Sequence, residues 1–261
     1  MNKQPWALIL GASSGFGEAT ALELARAGMN IFGVHLDRRE KMPHVAEIQA
    51  KIQAMGREVQ FFNINAADDG RRKECVEQIT ARMAEGGGTL RVLLHSLAFG
   101  ALKPLAGAPE VAARHQIELT ADVMGHSLVY WVQECLWAGL LDKGARIFAM
   151  TSSGGTRVIP NYGPVSAAKA ILESHVRQLA MELAPAGITA NAILAGVTDS
   201  PALRQIPDHE KLMEIARLRN PHKRLTTPED VARCIAALCH PATYWLTGNT
   251  LQVDGGENIV G

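Results

Sequence analysis

No Cys-x-x-Cys pair, no His-x-x-x-His spacing and no excess of either charge occurs in these 261 residues. The four cysteines (Cys75, Cys135, Cys234 and Cys239) are scattered, so no disulfide framework is expected, which fits a reducing compartment. Without ligand spacing among its nine histidines, the chain is expected to hold no metal. Lys plus Arg equals Asp plus Glu at 26 each, so no broad field favours nucleic acid or a membrane surface. Long apolar runs are missing too: Trp6 to Leu10 is too short for a signal peptide or a span, and it stops at a glycine turn. A cytoplasmic protein is the expectation. Repeats, linkers and low-complexity tracts are absent, so one large domain over residues 1–261 is expected.

What is present alternates between strand and helix. Ala7 to Leu10 reads as a buried strand, followed by Gly11-Ala-Ser-Ser-Gly15-Phe-Gly17 and a helix ending near Gly28. Glycines between a strand and a helix let backbone approach a pyrophosphate, and the helix N-terminus offers free N–H groups. Gly11, Ser13, Ser14, Gly15, Phe16 and Gly17 are therefore candidate cofactor residues. The second strand, Ile31 to Leu36, runs into Asp37-Arg38-Arg39, where an adenosine ribose should lie. Arginines there accept a 2′-phosphate and an acidic side chain holds a free 2′-hydroxyl. Arg38 and Arg39 favour NADPH over NADH, Asp37 argues more weakly the other way, and a solvated charged loop is the plain alternative.

A helix over Met42 to Met55, a strand over Val59 to Ile64, a helix over Arg71 to Ala84 and a linker turn at Gly86-Gly-Gly88 continue the pattern. Asn65 falls at the edge where adenine would sit. The strand Leu90 to Leu94 leads into His95-Ser-Leu-Ala-Phe-Gly100, where small residues let backbone pass a nicotinamide ribose, making Leu97 and Ala98 candidates. His95, at the end of a buried strand, reads as a structural hydrogen-bonding residue rather than an acid or base. A long helical pattern covers Val111 to Leu141 with apolar residues around much of its circumference, which suggests contact with another subunit.

The strand Arg146 to Met150 is closed by Thr151-Ser152-Ser153. A hydroxyl there opens onto the crevice where such sheets bind ligands, although a turn-capping serine explains it equally well. Asn161 to Lys169 then runs into a helix reaching about Pro185, with Pro164 suited to its first position. Tyr162 and Lys169 are nearly two helical periods apart and can face one cleft. The ammonium would favour phenolate character, and the phenol would donate to an oxygen gaining charge. After the strand Ile188 to Leu194, Val197 and Ser200 complete the candidate cofactor set. Residues from about 198 to 222, with a short helix near His209 to Leu218, form a candidate substrate lid. A helix starting at Thr226-Thr-Pro228 and a strand over Thr250 to Val253 finish a seven-stranded, parallel, doubly wound α/β (Rossmann) pattern flanked by helices.

Over essentially its full length the chain resembles the short-chain dehydrogenase/reductase family. The resemblance rests on Gly11 to Gly17, Ser152, Tyr162 and Lys169, Ala195-Gly196 and the terminal Val253-Asp-Gly-Gly256. Two departures sharpen it. Most of the family has Tyr-x-x-x-Lys, but Val165 stands four before Lys169, and the usual Asn-Asn-Ala-Gly is replaced by His95-Ser-Leu-Ala98. Together with Ile159-Pro-Asn-Tyr162, Asp122-Val-Met-Gly-His-Ser127 and Asn191-Ala-Ile-Leu-Ala-Gly196, these features are similar to the divergent enoyl-[acyl-carrier-protein] reductase branch. Ser152, ten before Tyr162, matches its NADPH-using, triclosan-tolerant type, and equally the catalytic serine of ordinary family members.

The resemblance implies hydride transfer from NADPH to C3 of a trans-2-enoyl thioester in fatty-acid synthesis. Tyr162 would stabilise the enolate oxygen and Lys169 would hold the nicotinamide ribose, with help from Ser152. It also implies an acyl carrier protein as partner and a homotetramer. Arg204, Lys211, Arg217, Arg219, Lys223 and Arg224 near the lid are either a docking patch for that acidic carrier or scattered surface charge. A 3-oxoacyl or other carbonyl reductase and a non-catalytic NADP-binding sensor remain as alternatives.

Overall fold

The computed structural model describes residues 4–260. Seven parallel strands form one sheet in the order β3-β2-β1-β4-β5-β6-β7. They are β1 (Gln4–Leu10), β2 (Asn30–His35), β3 (Val59–Asn63), β4 (Gly88–His95), β5 (Leu141–Thr151), β6 (Thr189–Ala195) and β7 (Thr250–Val253). The winding reverses between β1 and β4, so the crevice beyond their carboxyl ends is the ligand position of such a sheet.

Period-2 alternation packs both faces at once. From β1, Trp6, Leu8 and Leu10 enter one apolar cluster and Ala7 and Ile9 the other. From β5, Ile147 and Ala149 join the first cluster, and Phe148 and Met150 the second. The first face is covered by α3 (Asp69–Gly86), α5 (Ser127–Trp137) and α6 (Gly163–Leu183). The second is covered by α1 (Gly15–Arg26), α2 (Met42–Ala54) and α8 (Pro228–Leu238). α4 (Arg114–Ala121) and α7 (His209–Arg219) complete the helices. Among the described residues, no helix is long and apolar enough to cross a membrane.

Several boundaries differ from those read off the sequence. The helix expected over Val111 to Leu141 is shorter and broken, with a π-helical segment at Asp122–His126 between α4 and α5. The widened turn brings Gly125 against α6, where a Cβ would come 2.9 Å from Ile171 and 3.1 Å from the Ala168 carbonyl oxygen. At the other end Gly139 turns left-handed (φ +68°) and stops the helix. β5 therefore begins at Leu141 instead of Arg146. α3 begins earlier than expected because Asp68 Oδ1 caps the Arg71 amide at 2.9 Å. The glycine linker is absorbed, since Gly86 ends α3, Gly87 is the left-handed cap and Gly88 already pairs in β4. Pro164 is the second residue of α6, behind Gly163.

His95 takes the structural role its position suggested. It is fully buried, and its Nε2 lies 2.9 Å from Ser127 Oγ. That hydroxyl donates to the Val123 carbonyl, so it accepts from the imidazole. Burial, reinforced by the Lys169 ammonium, holds the His95 pKa at about 3 against an ordinary 6.5. The unfolded chain thus binds a proton that the folded one refuses. The stability this preserves is complete above pH 6.5 and is lost as pH falls toward 3, by roughly 4 kcal/mol at the acid end. Ser127→Ala should cost a further ~1–3 kcal/mol by orphaning the imidazole N–H. Denaturant titrations at pH 7.5 and 5 check both, and pH-independent stability from His95→Asn set beside wild type would oppose the account.

Candidate active site

The glycine turn is built by close contacts. The amides of Gly11 and Ala12 both donate to the Val34 carbonyl, at 2.8 and 3.0 Å. A Cβ on Gly11 (φ +91°) would lie 2.3 Å from the Ser96 oxygen, and one on Gly17 would lie 1.9 Å from the Gly11 oxygen. Neither position admits a side chain. Gly15 (φ +54°) has only Ser200 Cβ nearby, at 3.8 Å, so the backbone above α1 is open. Ser14 precedes α1 without capping it, and the amides of Gly15, Phe16 and Gly17 find no acceptor among the described residues. Free amides at the positive end of a helix suit a pyrophosphate. Ser13 is half-buried and Ser14 exposed.

Around this turn, Leu97 packs beside Gly11 and Ala98 is exposed at the mouth. Asn65 is exposed past β3, its Oδ1 accepting from the Ala67 amide. The Arg38 and Arg39 side chains are exposed beyond β2 and make no hydrogen bond or ion pair among the described residues, whereas Asp37 is turned toward His35. Val197 follows β6, and its N–H is taken by Glu257 Oε2 at 3.0 Å.

Tyr162 and Lys169 both border one tight turn. Tyr162 is the N-terminal cap of α6 in the sparsely populated bridge region (φ −97°, ψ 0°), after a left-handed Asn161 (φ +62°). A Cβ on Gly154 would reach within 2.5 Å of the Tyr162 ring, and one on Gly155 would sit 3.5 Å from Lys169 Cβ. Two adjacent glycines thus lie under the pair. Ser152 Oγ accepts from the Gly154 amide at 3.1 Å, capping the turn, and the Ser152 side chain lies near enough to the Tyr162 phenol to pull its pKa down. Of the two readings of Ser152, the turn cap is the one its hydrogen bond makes.

The electrostatics differ from a simple ammonium beside a phenol. Burial raises the Tyr162 pKa above 10, only partly offset by Ser152. The phenol stays protonated and is a donor, not a phenolate. Lys169 is buried and donates to the Met150 carbonyl at 2.7 Å. Desolvation lowers its pKa to about 8, and Glu173 one turn on pulls the other way. Glu173 is itself held by the Thr151 hydroxyl at 2.6 Å.

The sequence reading missed the knot that secures this edge. Asp254 accepts from the Gly256 and Asn258 amides, at 2.9 Å each, and its carbonyl accepts from Asn220 at 2.9 Å. Glu257 is thereby set under Val197, and Arg157 reaches the Asn258 carbonyl at 2.9 Å. Burial raises the Glu257 pKa. The Asp-Gly-Gly run was visible in the sequence, but Asn220, which bonds the Asp254 carbonyl, is 34 positions away and Val197, held by Glu257, is 60 from it. The basic patch is thinner than its composition implied. Arg204 is paired with Asp199 and Arg224 with Asp230, and Lys223 donates to the Leu218 carbonyl. Lys211, Arg217 and Arg219 remain exposed, with no ion pair among the described residues.

Set beside known proteins, residues 11–258 match a family profile described as enoyl-(acyl carrier protein) reductase. The chain is 33% identical over 260 residues to 1-cyclohexenylcarbonyl-CoA reductase of Streptomyces collinus, covering 97% of this chain and 86% of that protein. It is 30% identical over 250 residues to a Buchnera aphidicola protein named for enoyl-[acyl-carrier-protein] reduction with NADH, covering 95% and 90%. A Bacillus cereus enoyl-acyl carrier protein reductase, solved with NADP+ and indole naphthyridinone, superposes with a TM-score of 0.88 at 26% identity, covering 99% and 97%.

If Lys169 acts as an ammonium, the rate with saturating substrate should be level at neutral pH and fall as pH rises through about 8. Glu173→Gln removes the charge that supports the ammonium and should move that limb to lower pH. A limb that stays in place in Glu173→Gln would remove Lys169 as its source.

Proposed function

The chain belongs to the enoyl-[acyl-carrier-protein] reductase branch of the short-chain dehydrogenase/reductases, oxidoreductases of Rossmann fold, and we propose that it reduces the C2=C3 bond of trans-2-enoyl-[acyl-carrier-protein] thioesters with NADPH in cytoplasmic fatty-acid synthesis. One observation carries the reading: a protonated, half-buried Tyr162 at the mouth of α6, seven residues before a buried Lys169. Reduced nicotinamide, when bound, supplies the hydride to C3. Charge then gathers on the thioester oxygen, which lies farther from C3 than a ketone oxygen lies from its own carbon. A tyrosine moved upstream to the helix cap suits that longer reach. Tyr162 donates to this oxygen, and its raised pKa keeps it a hydrogen-bond donor rather than a competing anion. Lys169 orients the ribose and adds positive charge where little water screens it. C2 takes its proton from solvent.

The glycine turn fits the pyrophosphate, with Gly11, Ser13, Ser14, Gly15, Phe16 and Gly17 as its cradle. Asn65 is assigned to adenine, and Leu97, Ala98, Val197 and Ser200 to the nicotinamide end. Arg38 and Arg39, exposed and unpaired, support NADPH. Residues 198–222 are assigned as the lid of a single domain, with Ser200 already over Gly15. Lys211, Arg217 and Arg219 are the candidate carrier contacts, although a relative acts on a CoA thioester by name. Exposed Trp137 on α5 and Met181 on α6 support a homotetramer.

The closeness of Ser152 to the Tyr162 phenol, whose pKa it pulls down, favours one second reading, a carbonyl reductase that uses both hydroxyls on a ketone oxygen. Two variants separate the readings. On a crotonyl thioester, Tyr162→Phe should lower kcat by about 10²–10³-fold while NADPH binding, followed by fluorescence, stays unchanged. Ser152→Ala should cost less than about tenfold. Equal losses in the two variants on an acetoacetyl thioester would favour the carbonyl reductase, and a fully active Tyr162→Phe on both substrates would refute both readings.

A further inference from the structure

Asp37 stands one residue before the arginines assigned to a 2′-phosphate, where a free carboxylate would repel that group. Its side chain is not free. Asp37 Oδ2 lies 2.9 Å from His35 Nδ1, with the two side chains 10% and 2% exposed. An ionised carboxylate only accepts, so Nδ1 carries the proton and donates. The backbone of Asp37 is clamped as well. Its N–H donates to Asn63 Oδ1 at 3.0 Å, and its carbonyl accepts from Asn63 Nδ2 at 2.9 Å. His35 is held against Phe61, with ring centroids 6.0 Å apart. Turning the carboxylate outward would break a charge-assisted hydrogen bond at a residue pinned on both peptide faces.

We propose that His35 is a specificity-determining residue, which holds the Asp37 carboxylate inward so that Arg38 and Arg39 alone meet the adenosine ribose and its 2′-phosphate. The inference rests on the reading that residues 37–39 face that ribose. Without the latch, Asp37 would accept the two ribose hydroxyls of NADH and oppose the phosphate of NADPH. A residue that reads as NADH-directing in the sequence is made silent by its neighbour two positions back.

The test measures KM and kcat for NADPH and NADH with a crotonyl thioester, using the full chain as wild type, His35→Phe, Asp37→Asn and the double variant. Phenylalanine keeps a packed ring and loses the donor. His35→Phe should raise the NADPH KM by about tenfold and lower that of NADH, with kcat unchanged. Asp37→Asn should leave the NADPH KM within about twofold of wild type, because a latched carboxylate contributes no repulsion. The double variant should return the NADPH KM to the wild-type value, which a packing defect at His35 would not do. An unchanged NADPH/NADH ratio in His35→Phe overturns the latch. So does an Asp37→Asn protein that binds NADPH about tenfold tighter, and this arm decides alone if His35→Phe does not fold. Wild-type preference for NADH overturns the NADPH reading instead, and the latch is then judged by whether His35→Phe still moves the ratio.

Discussion

A side chain at Gly154 would strike the Tyr162 ring, and one at Gly155 would crowd the stem of Lys169. The turn between β5 and α6 is therefore the surface on which the site is assembled. Ser152 closes the turn by capping Gly154 and lies near enough to the phenol to oppose the rise in its pKa. Tyr162 adopts its bridge-region backbone because a left-handed Asn161 delivers it and α6 begins directly behind it. Strain of this kind persists only where neighbours over-determine it. Here they include the glycine pair, the Ser152 hydroxyl and the helix itself.

The same turn governs the electrostatics. Lys169 leaves water in order to donate to Met150 and is sustained as an ammonium by Glu173, which the Thr151 hydroxyl holds in place. Beneath it, His95 stays neutral because burial and the ammonium both oppose its protonation. One positive charge is thus kept at the carboxyl edge of β4 and β5, beside a phenol that retains its proton. An arrangement fixed before substrate arrives needs little reorganisation when charge develops on an oxygen. The C-terminal knot of Asp254, Glu257 and Asn220 ties the turn after β6 to the residue that follows α7. Loops at this edge are therefore joined to one another as well as to the sheet.

Much of this was legible in the chain because it is written locally. Each strand is a short apolar run, the glycine turn sits between β1 and α1, and Tyr162 and Lys169 lie on one helix. The seven-stranded parallel sheet follows from such signals. What escaped was decided by contacts between distant residues. The π segment answers the approach of Gly125 to α6, a contact between positions more than 40 apart. The direction of the Asp37 side chain depends on His35 and Asn63, so its type alone misleads. Arg204 and Arg224 counted as a basic patch until their partners, Asp199 and Asp230, were seen beside them. Phenolate character was expected from spacing alone, whereas burial raises the Tyr162 pKa.

The central claim is that a tyrosine at the cap of α6 serves the oxygen of an unsaturated thioester rather than a ketone. The most direct measurement is NADPH oxidation by the wild-type protein with crotonyl and acetoacetyl thioesters side by side. Turnover of the crotonyl thioester, with the saturated acyl product identified by mass spectrometry and no turnover of the acetoacetyl thioester, is the result predicted. Turnover of the acetoacetyl thioester alone would contradict it and make the displaced tyrosine a feature of carbonyl reduction.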